Sequence, residues 1–404
     1  MQGMKKNKII ISGTGCALAD YLYTGVRFNS PQFRKFRSKK TGDGGLSPGK
    51  LVFTEEIEKF SATPYPAILK ELTGNRNPDA FNIGGPGLVS LINTSQLLDS
   101  ADFEVRFYGG TGMDKTASII QDLAKDTPLN ISNYTIISSK ATPFTDVFSD
   151  ATYDNNQGER TFINNIGAAW DFSSELLGKD FFEADIVCFG GTALVPQIHD
   201  SLTSLLEKAK KSDCFTVVNT VFDFRNEKNT PGKPWPLCST RESFKLIDLL
   251  LMDCEEAIRI SGTQTIDQAA AFFAELDVSS FVITNGAEEM YAFSNGSVFQ
   301  RKELSKFPVA KRVSEDLHKN PTVKGDTTGC GDNFAGGAIA SLAWQLKNLP
   351  VGKFDFDEML AWAVASGGFA CFYLGGTYFE ETPGEKFYKV EAYKKEYNKQ
   401  ISSL

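Results

Sequence analysis

The sequence predicts a doubly wound α/β fold, a mostly parallel sheet flanked by helices on both faces. Short, continuous apolar runs recur along the chain, helical patterns lie between them, and the connections are short. Runs of this kind mark strands buried on both faces, as parallel strands are. They occur at Ile9–Ser12, Val105–Tyr108, Ile186–Phe189, Phe215–Val218, Ile247–Leu251 and Phe281–Thr284. The helices predicted between and after them are Thr116–Lys125, Ser201–Lys211, Cys254–Ser261, Ile266–Leu276, Asp332–Leu346 and Asp357–Phe372. Ligands of such sheets bind beyond the carboxyl ends of the strands.

Two stretches break the alternation. Residues 24–80 are rich in Gly, Pro, Lys and Ser with weak apolar periodicity, and are expected to form a polar insertion without a core of its own. Within it Arg34, Lys35, Arg37, Lys39 and Lys40 interleave with Phe33 and Phe36. A solvated loop or surface strand accounts for this cluster better than a nucleic-acid patch. Residues 136–166 alternate around the turn Asn155-Asn-Gln-Gly158, the pattern of a hairpin outside the main sheet.

Composition narrows the function. The 404 residues carry 42 Lys and Arg against 50 Asp and Glu, a net charge of -8, which argues against nucleic-acid partners and adhesion to membranes. Two histidines, His199 and His318, exclude a histidine-rich metal site. The seven cysteines are scattered without a C-x-x-C pair, so a disulfide framework is not expected and a reducing cytoplasm fits. Ile9–Ile11 is too short for a signal peptide core. Met359–Phe379 is uncharged and long enough to span a bilayer, but its four glycines suit a closely packed buried helix.

The strongest motif is Gly325-Asp-Thr-Thr-Gly-Cys-Gly-Asp-Asn-Phe-Ala-Gly-Gly337. Small residues before a helix let successive N–H groups gather at its positive end, where a phosphate binds. Asp332 stands at the same terminus. A carboxylate is a poor ligand for phosphate but a suitable base for an attacking hydroxyl. A glycine-rich turn with Asp332 as an ordinary first-turn residue would have the same composition.

This motif resembles the carboxyl-terminal signature of the ribokinase-like, PfkB carbohydrate kinase family, D-T-x-G-A-G-D-x-F-x-x-G. Other segments follow in the family's order: Gly13 to Asp20, Gly84-Gly85, Gly109 to Asp114, Gly158-Glu-Arg-Thr-Phe162 with Gly167-Ala-Ala169, Asp253-Cys-Glu-Glu256, and Thr284-Asn-Gly286. The resemblance implies one kinase domain over residues 1–383, followed by a charged tail at 384–404. A small β lid is expected from parts of 14–45 and 80–170. The 24–80 insertion would enlarge that lid or form a subunit contact in a homodimer.

By the same resemblance the substrates are ATP and a sugar or sugar-like alcohol, with Asp332 as general base and Gly329, Cys330 and Gly331 forming the anion hole. Asp20, Gly84, Gly85 and Asn165 would contact the acceptor, and Thr284, Gly286 and Thr328 the nucleotide. Asp253 and Glu256 would hold Mg2+ through water, and Asp326 a monovalent cation such as K+. The backbone of Cys330, not its sulfur, is expected to matter. Departures from the pattern are Asp253 where the family has Asn, and Val89 where a substrate-binding Asn is usual, with Asn93 the nearest alternative. The Gly158–Ala169 segment also resembles adenosine kinases, which keeps a nucleoside acceptor open. A non-catalytic scaffold is the reading of another class, and the intact Gly329–Asp332 turn opposes it.

Overall fold

The computed structural model describes residues 8–40, 42–156, 158–320, 325, 327–348 and 352–402. Its first strands are β1 (Ile9–Gly15), β2 (Leu18–Thr24), β3 (Leu51–Phe53), β4 (Ala80–Gly84), β5 (Phe103–Thr111), β6 (Asn130–Ile136) and β7 (Phe144–Asp150). There follow β8 (Glu159–Asn165), β9 (Ile186–Gly190), β10 (Phe215–Asn219), β11 (Leu249–Asp253), β12 (Ser280–Thr284), β13 (Met290–Ser294) and β14 (Lys302–Phe307).

Nine of these form the main sheet, in the order β14-β13-β12-β11-β10-β9-β1-β5-β6. It is parallel from β6 to β12 and antiparallel at β13 and β14. All six apolar runs read from the sequence are strands of this sheet. The helix Cys254–Ser261 has the expected bounds, and the others differ by a few residues at their ends.

One helix left no periodic signal. Pro86–Leu97 is buried on nearly every side, so apolar and polar residues do not segregate along it. It lies against the long helix Cys330–Asn348, which in turn packs on Phe356–Phe369. The Gly336-Gly337 pair permits both contacts. A Cβ on Gly336 would stand 2.5 Å from the Ser90 carbonyl oxygen, and one on Gly337 2.5 Å from that of Trp362. The apolar run at 359–379 thus belongs to a buried helix and the turn after it. Among the described residues no helix is long and apolar enough to cross a membrane.

The second sheet, β3-β8-β7-β2-β4, is the part expected to serve as the lid. The 136–166 hairpin supplies β7 and β8, and the insertion supplies β3. The insertion differs from expectation in having an apolar cluster. Phe28, Phe33, Phe36, Leu46, Ile57 and Ile68 are fully buried with Phe148 and Ile163 of the lid sheet. Phe33, Phe36, Ile57 and Ile68 come from three helices of six to nine residues, each too short to display a period, and Phe28 and Leu46 from the segments between elements. Phe33 and Phe36 point inward while their basic neighbours stay in solvent, so the aromatics are not a nucleic-acid surface. Two contacts join the lid edge to the main body: the Phe53 ring meets Phe224 edge-on, and Lys228 pairs with Glu56.

The end of the chain also differs from the expected tail. Glu385–Ile401 is a helix whose Phe387, Val390, Tyr393, Tyr397 and Ile401 recur every three or four residues and pack on the main core. Its many Lys and Glu residues hide that stripe in composition but not in spacing.

Because the lid has its own apolar cluster, Phe33→Ala should damage the lid alone. Phe33 is fully buried and stacks on Phe28 with ring centroids 4.6 Å apart. Its truncation should cost about 3–5 kcal/mol of lid stability. Hydrogen exchange should accelerate in residues 26–72 and β7–β8 while β9–β12 stay protected. Equal acceleration in both regions would mean that the two clusters unfold as one.

Candidate active site

The carboxyl ends of β1 and β9 meet the start of helix Pro86–Leu97 at three glycines. A Cβ on Gly15 would lie 1.8 Å from the Gly190 carbonyl oxygen, and one on Gly190 2.6 Å from the Gly87 Cα. Only bare backbones approach so closely. The chain then passes through buried Cys16 into the lid strand that carries Asp20. Burial, together with the charges of Asp332 and Asp20, pushes the Cys16 thiol far up, which places it near both carboxylates. Gly84 lies under Asp20, since a Cβ there would stand 2.2 Å from the Asp20 Oδ2. Gly85, at φ +93°, turns the chain from β4 into the helix. Asp20, Gly84, Gly85 and Asp332 therefore converge.

Helix Cys330–Asn348 begins at the same place. Gly329, at φ +75°, packs on Gly376, where a Cβ would come within 2.4 Å of the Gly376 Cα. The Asn333 N–H donates to the Gly329 carbonyl at 2.8 Å, closing the first turn. The Gly331 and Asp332 N–H groups precede that bond and belong to the unsatisfied positive end of the helix. Apart from its chain neighbours and the helix's own backbone, no described atom lies within 4 Å of a Cβ placed on Gly331, leaving room above the turn. Cys330 contributes less than expected, because its N–H turns back to the Thr327 carbonyl at 3.3 Å. Its sulfur lies 3.5 Å from that of Cys371. Asp332 is partly covered, and loss of water around it pushes its carboxyl up to about 7.

Asp253 ends β11 and caps the next helix. It accepts from the Glu256 N–H at 2.8 Å, while Glu256 accepts from the Asp253 N–H at 3.0 Å and from the Thr220 hydroxyl at 2.6 Å. Burial first, then the Asp253 charge, pushes Glu256 up to about 8, with Asp332 adding to it. Burial also raises Asp253. Two carboxylates that oppose each other's ionisation suit a divalent cation, so Mg2+ fits here. No cluster of three or more metal-ligating side chains occurs among the described residues. An ion would therefore depend on nucleotide phosphates and water for its remaining ligands. Thr284 is the register partner of Asp253, and Gly286 forms an exposed turn beyond it at φ +61°. Asp326 lies outside the described residues.

The lid contributes residues that the sequence did not single out. Arg160 of β8 donates from Nη1 to the Thr328 hydroxyl at 2.6 Å, bringing a guanidinium to the anion turn. Asn82, Asp20, Thr145 and Asn164 pair in register across β4, β2, β7 and β8, so they share one face. Asn165 is turned away from that face, donating to Thr54 of the insertion at 2.9 Å. Asn164 is the Asn of this pair that lies on the Asp20 face, its Nδ2 on the Thr145 hydroxyl at 2.9 Å. Adjacent strand residues face opposite ways, so only the register separates the two. Asn93 is buried between helices, donating to the Asn333 carbonyl, and Val89 is buried beside Gly376. Neither reaches Asp20.

A helix N-terminus with a carboxylate at the strand ends, beside a small second sheet, is the arrangement that the sequence motif implies. Residues 62–383 match the pfkB family carbohydrate kinase pattern. The chain belongs to this family. Its members' chemistry makes it a phosphotransferase with an alcohol acceptor. Solved structures share the fold at low identity. Adenosine kinase from Schistosoma mansoni, in complex with 2-fluoroadenosine, superposes with a TM-score of 0.67 at 16% identity, covering 92% of this chain and 97% of that one. Thermotoga maritima ribokinase gives 0.59 at 18% identity, covering 96% and 99%. Arabidopsis thaliana ribokinase, complexed with ribose and ATP, gives 0.59 at 17%, with the same coverage.

The raised Asp332 has a stability signature. Its folded value of about 7 lies above the unfolded value of roughly 3.9. The native state therefore holds this proton more tightly, and stability falls as pH rises from the lower value to the higher. Asp332→Asn removes that cost, so it should raise Tm at pH 8, with the advantage shrinking towards pH 4. A Tm below wild type at pH 8 would show that the carboxylate is compensated in the fold.

Proposed function

We propose that this kinase transfers the terminal phosphoryl group of ATP to a hydroxyl of a sugar or sugar-like alcohol. The observation that supports this most is the convergence of Asp20 and Asp332 beside the open Gly331 turn. Asp20, lying against bare Gly84 backbone, binds hydroxyls of the acceptor and directs another towards Asp332. Asp332 takes that hydroxyl's proton as the oxygen attacks the terminal phosphorus. The new O–P bond forms as the bond to the bridging oxygen breaks, and ADP leaves. The Gly331 and Asp332 N–H groups, with Arg160 from the lid, stabilise charge on the equatorial oxygens. Asp253 and Glu256 would hold Mg2+ through water, and the ion would supply neutralisation of phosphate charge. Thr284 and Gly286 border the nucleotide.

A nucleoside acceptor is the second reading, favoured by the placement of the Gly158–Phe162 segment. That segment resembles adenosine kinases and sets Arg160 on the anion turn. Asp20 would then bind ribose hydroxyls. ADP release measured with ribose, fructose, inositol and adenosine separates the two. With the accepted substrate, Asp332→Asn should lower kcat by roughly 10² to 10⁴ with little change in KM. Undiminished kcat in that variant would remove Asp332 as the base.

A further inference from the structure

Lys386 is 1% exposed, although it sits in the first turn of helix Glu385–Ile401, beyond the end of the family match. Burying an amine costs free energy unless its donors are used. Its Nζ donates to Asn333 Oδ1 at 2.9 Å and to Gln96 Oε1 at 3.1 Å. The Tyr373 and Tyr378 rings flank it at 5.9 Å. Burial draws its pKa down to about 7 against the opposing charge of Glu380.

Asn333 directly follows Asp332, and its side chain is fully engaged. Oδ1 accepts from Lys386 and from the Tyr373 hydroxyl at 3.1 Å. Nδ2 donates to the Gly329 and Gly376 carbonyls, each at 2.8 Å. This fixes which way the amide points, since a flip would set oxygen against two carbonyls and NH2 against the amine. The Gly329 carbonyl thus receives both the side chain and the main-chain N–H of Asn333.

We propose that Lys386 is a positioning residue. Through Asn333 it holds the Gly329–Asp332 turn so that the Gly331 and Asp332 N–H groups and the Asp332 carboxylate face the transferred phosphoryl group. The inference rests on the kinase reading above and extends it to a helix outside the family match. Without an amine at 386, Asn333 Oδ1 keeps only the Tyr373 hydroxyl, and the amide that braces Gly329 can swing. A displacement of about 1 Å at such a turn costs up to a hundredfold in rate.

Lys386→Met and Lys386→Gln test this. The Met variant should lose about tenfold to a hundredfold in kcat, with KM for ATP within about threefold of wild type. The Gln variant keeps an N–H donor directed at Asn333 and should recover part of that kcat. A residue that only filled space would give the reverse order, with Met at least as active and as stable as Gln. Hydrogen exchange of residues 327–333 should rise in the Met variant while β9–β12 stay protected. That measurement needs no substrate. A wild-type chain that phosphorylates nothing would overturn the kinase reading, whereas unchanged exchange and kcat in the Met variant would overturn the positioning role. If the Met variant does not fold, Asn333→Asp examines the same link from the loop side. It keeps an acceptor for Lys386 but removes the donor to Gly329 and Gly376, and unchanged kcat there would overturn the proposal.

Discussion

The close approach of main chains at Gly15, Gly87 and Gly190 is the constraint on which the rest of the site depends. Any side chain at Gly15 or Gly190 would collide with neighbouring backbone, so β1, β9 and helix Pro86–Leu97 would separate. The helix carrying Asp332 is seated on Pro86–Leu97 through Gly336, and would move with it. Lid strand β2 leaves β1 after only two intervening residues, Cys16 and Ala17. The distance from Asp20 to Asp332 is therefore set by bare backbone contact, not by complementary side chains.

Much of this could be read from the sequence because parallel strands buried on both faces have a simple signature. β9, for instance, is buried at every position, and its apolar run stands out without periodicity. The Asp253–Glu256 pair stood out only by its likeness to the family's N-x-x-E, and the structure shows it as a helix cap with its third helical residue. The lid was harder. Its strands alternate polar and apolar residues, and choosing between Asn164 and Asn165 needs the register with β7. Arg160 could be seen as one letter of a motif, but its contact with Thr328 spans 168 residues and no local pattern encodes that. The insertion's core was missed because each of its short helices contributes only two to four buried residues.

The site gathers acidic groups where water is scarce. Asp332 and Glu256 are both pushed towards neutrality, Asp332 by burial and Glu256 by burial first, with the charges of Asp253 and Asp332 adding to it. A divalent cation placed among these carboxylates would relieve that conflict. In the proposed reaction a bound divalent cation would supply the compensating charge, and a carboxyl raised towards neutral pH suits proton transfer.

The lid meets the main body through Arg160 on Thr328, Phe53 on Phe224 and Lys228 on Glu56. Strands β2 and β4 are tied to the body as well, by the Tyr21 hydroxyl on Thr116 and by Asn82 Nδ2 on the Leu374 carbonyl. If this sheet closes over Asp332 during the proposed transfer, then entry, closure, transfer and release follow in that order, and the slowest interval is free to fall on a step in which no covalent bond changes.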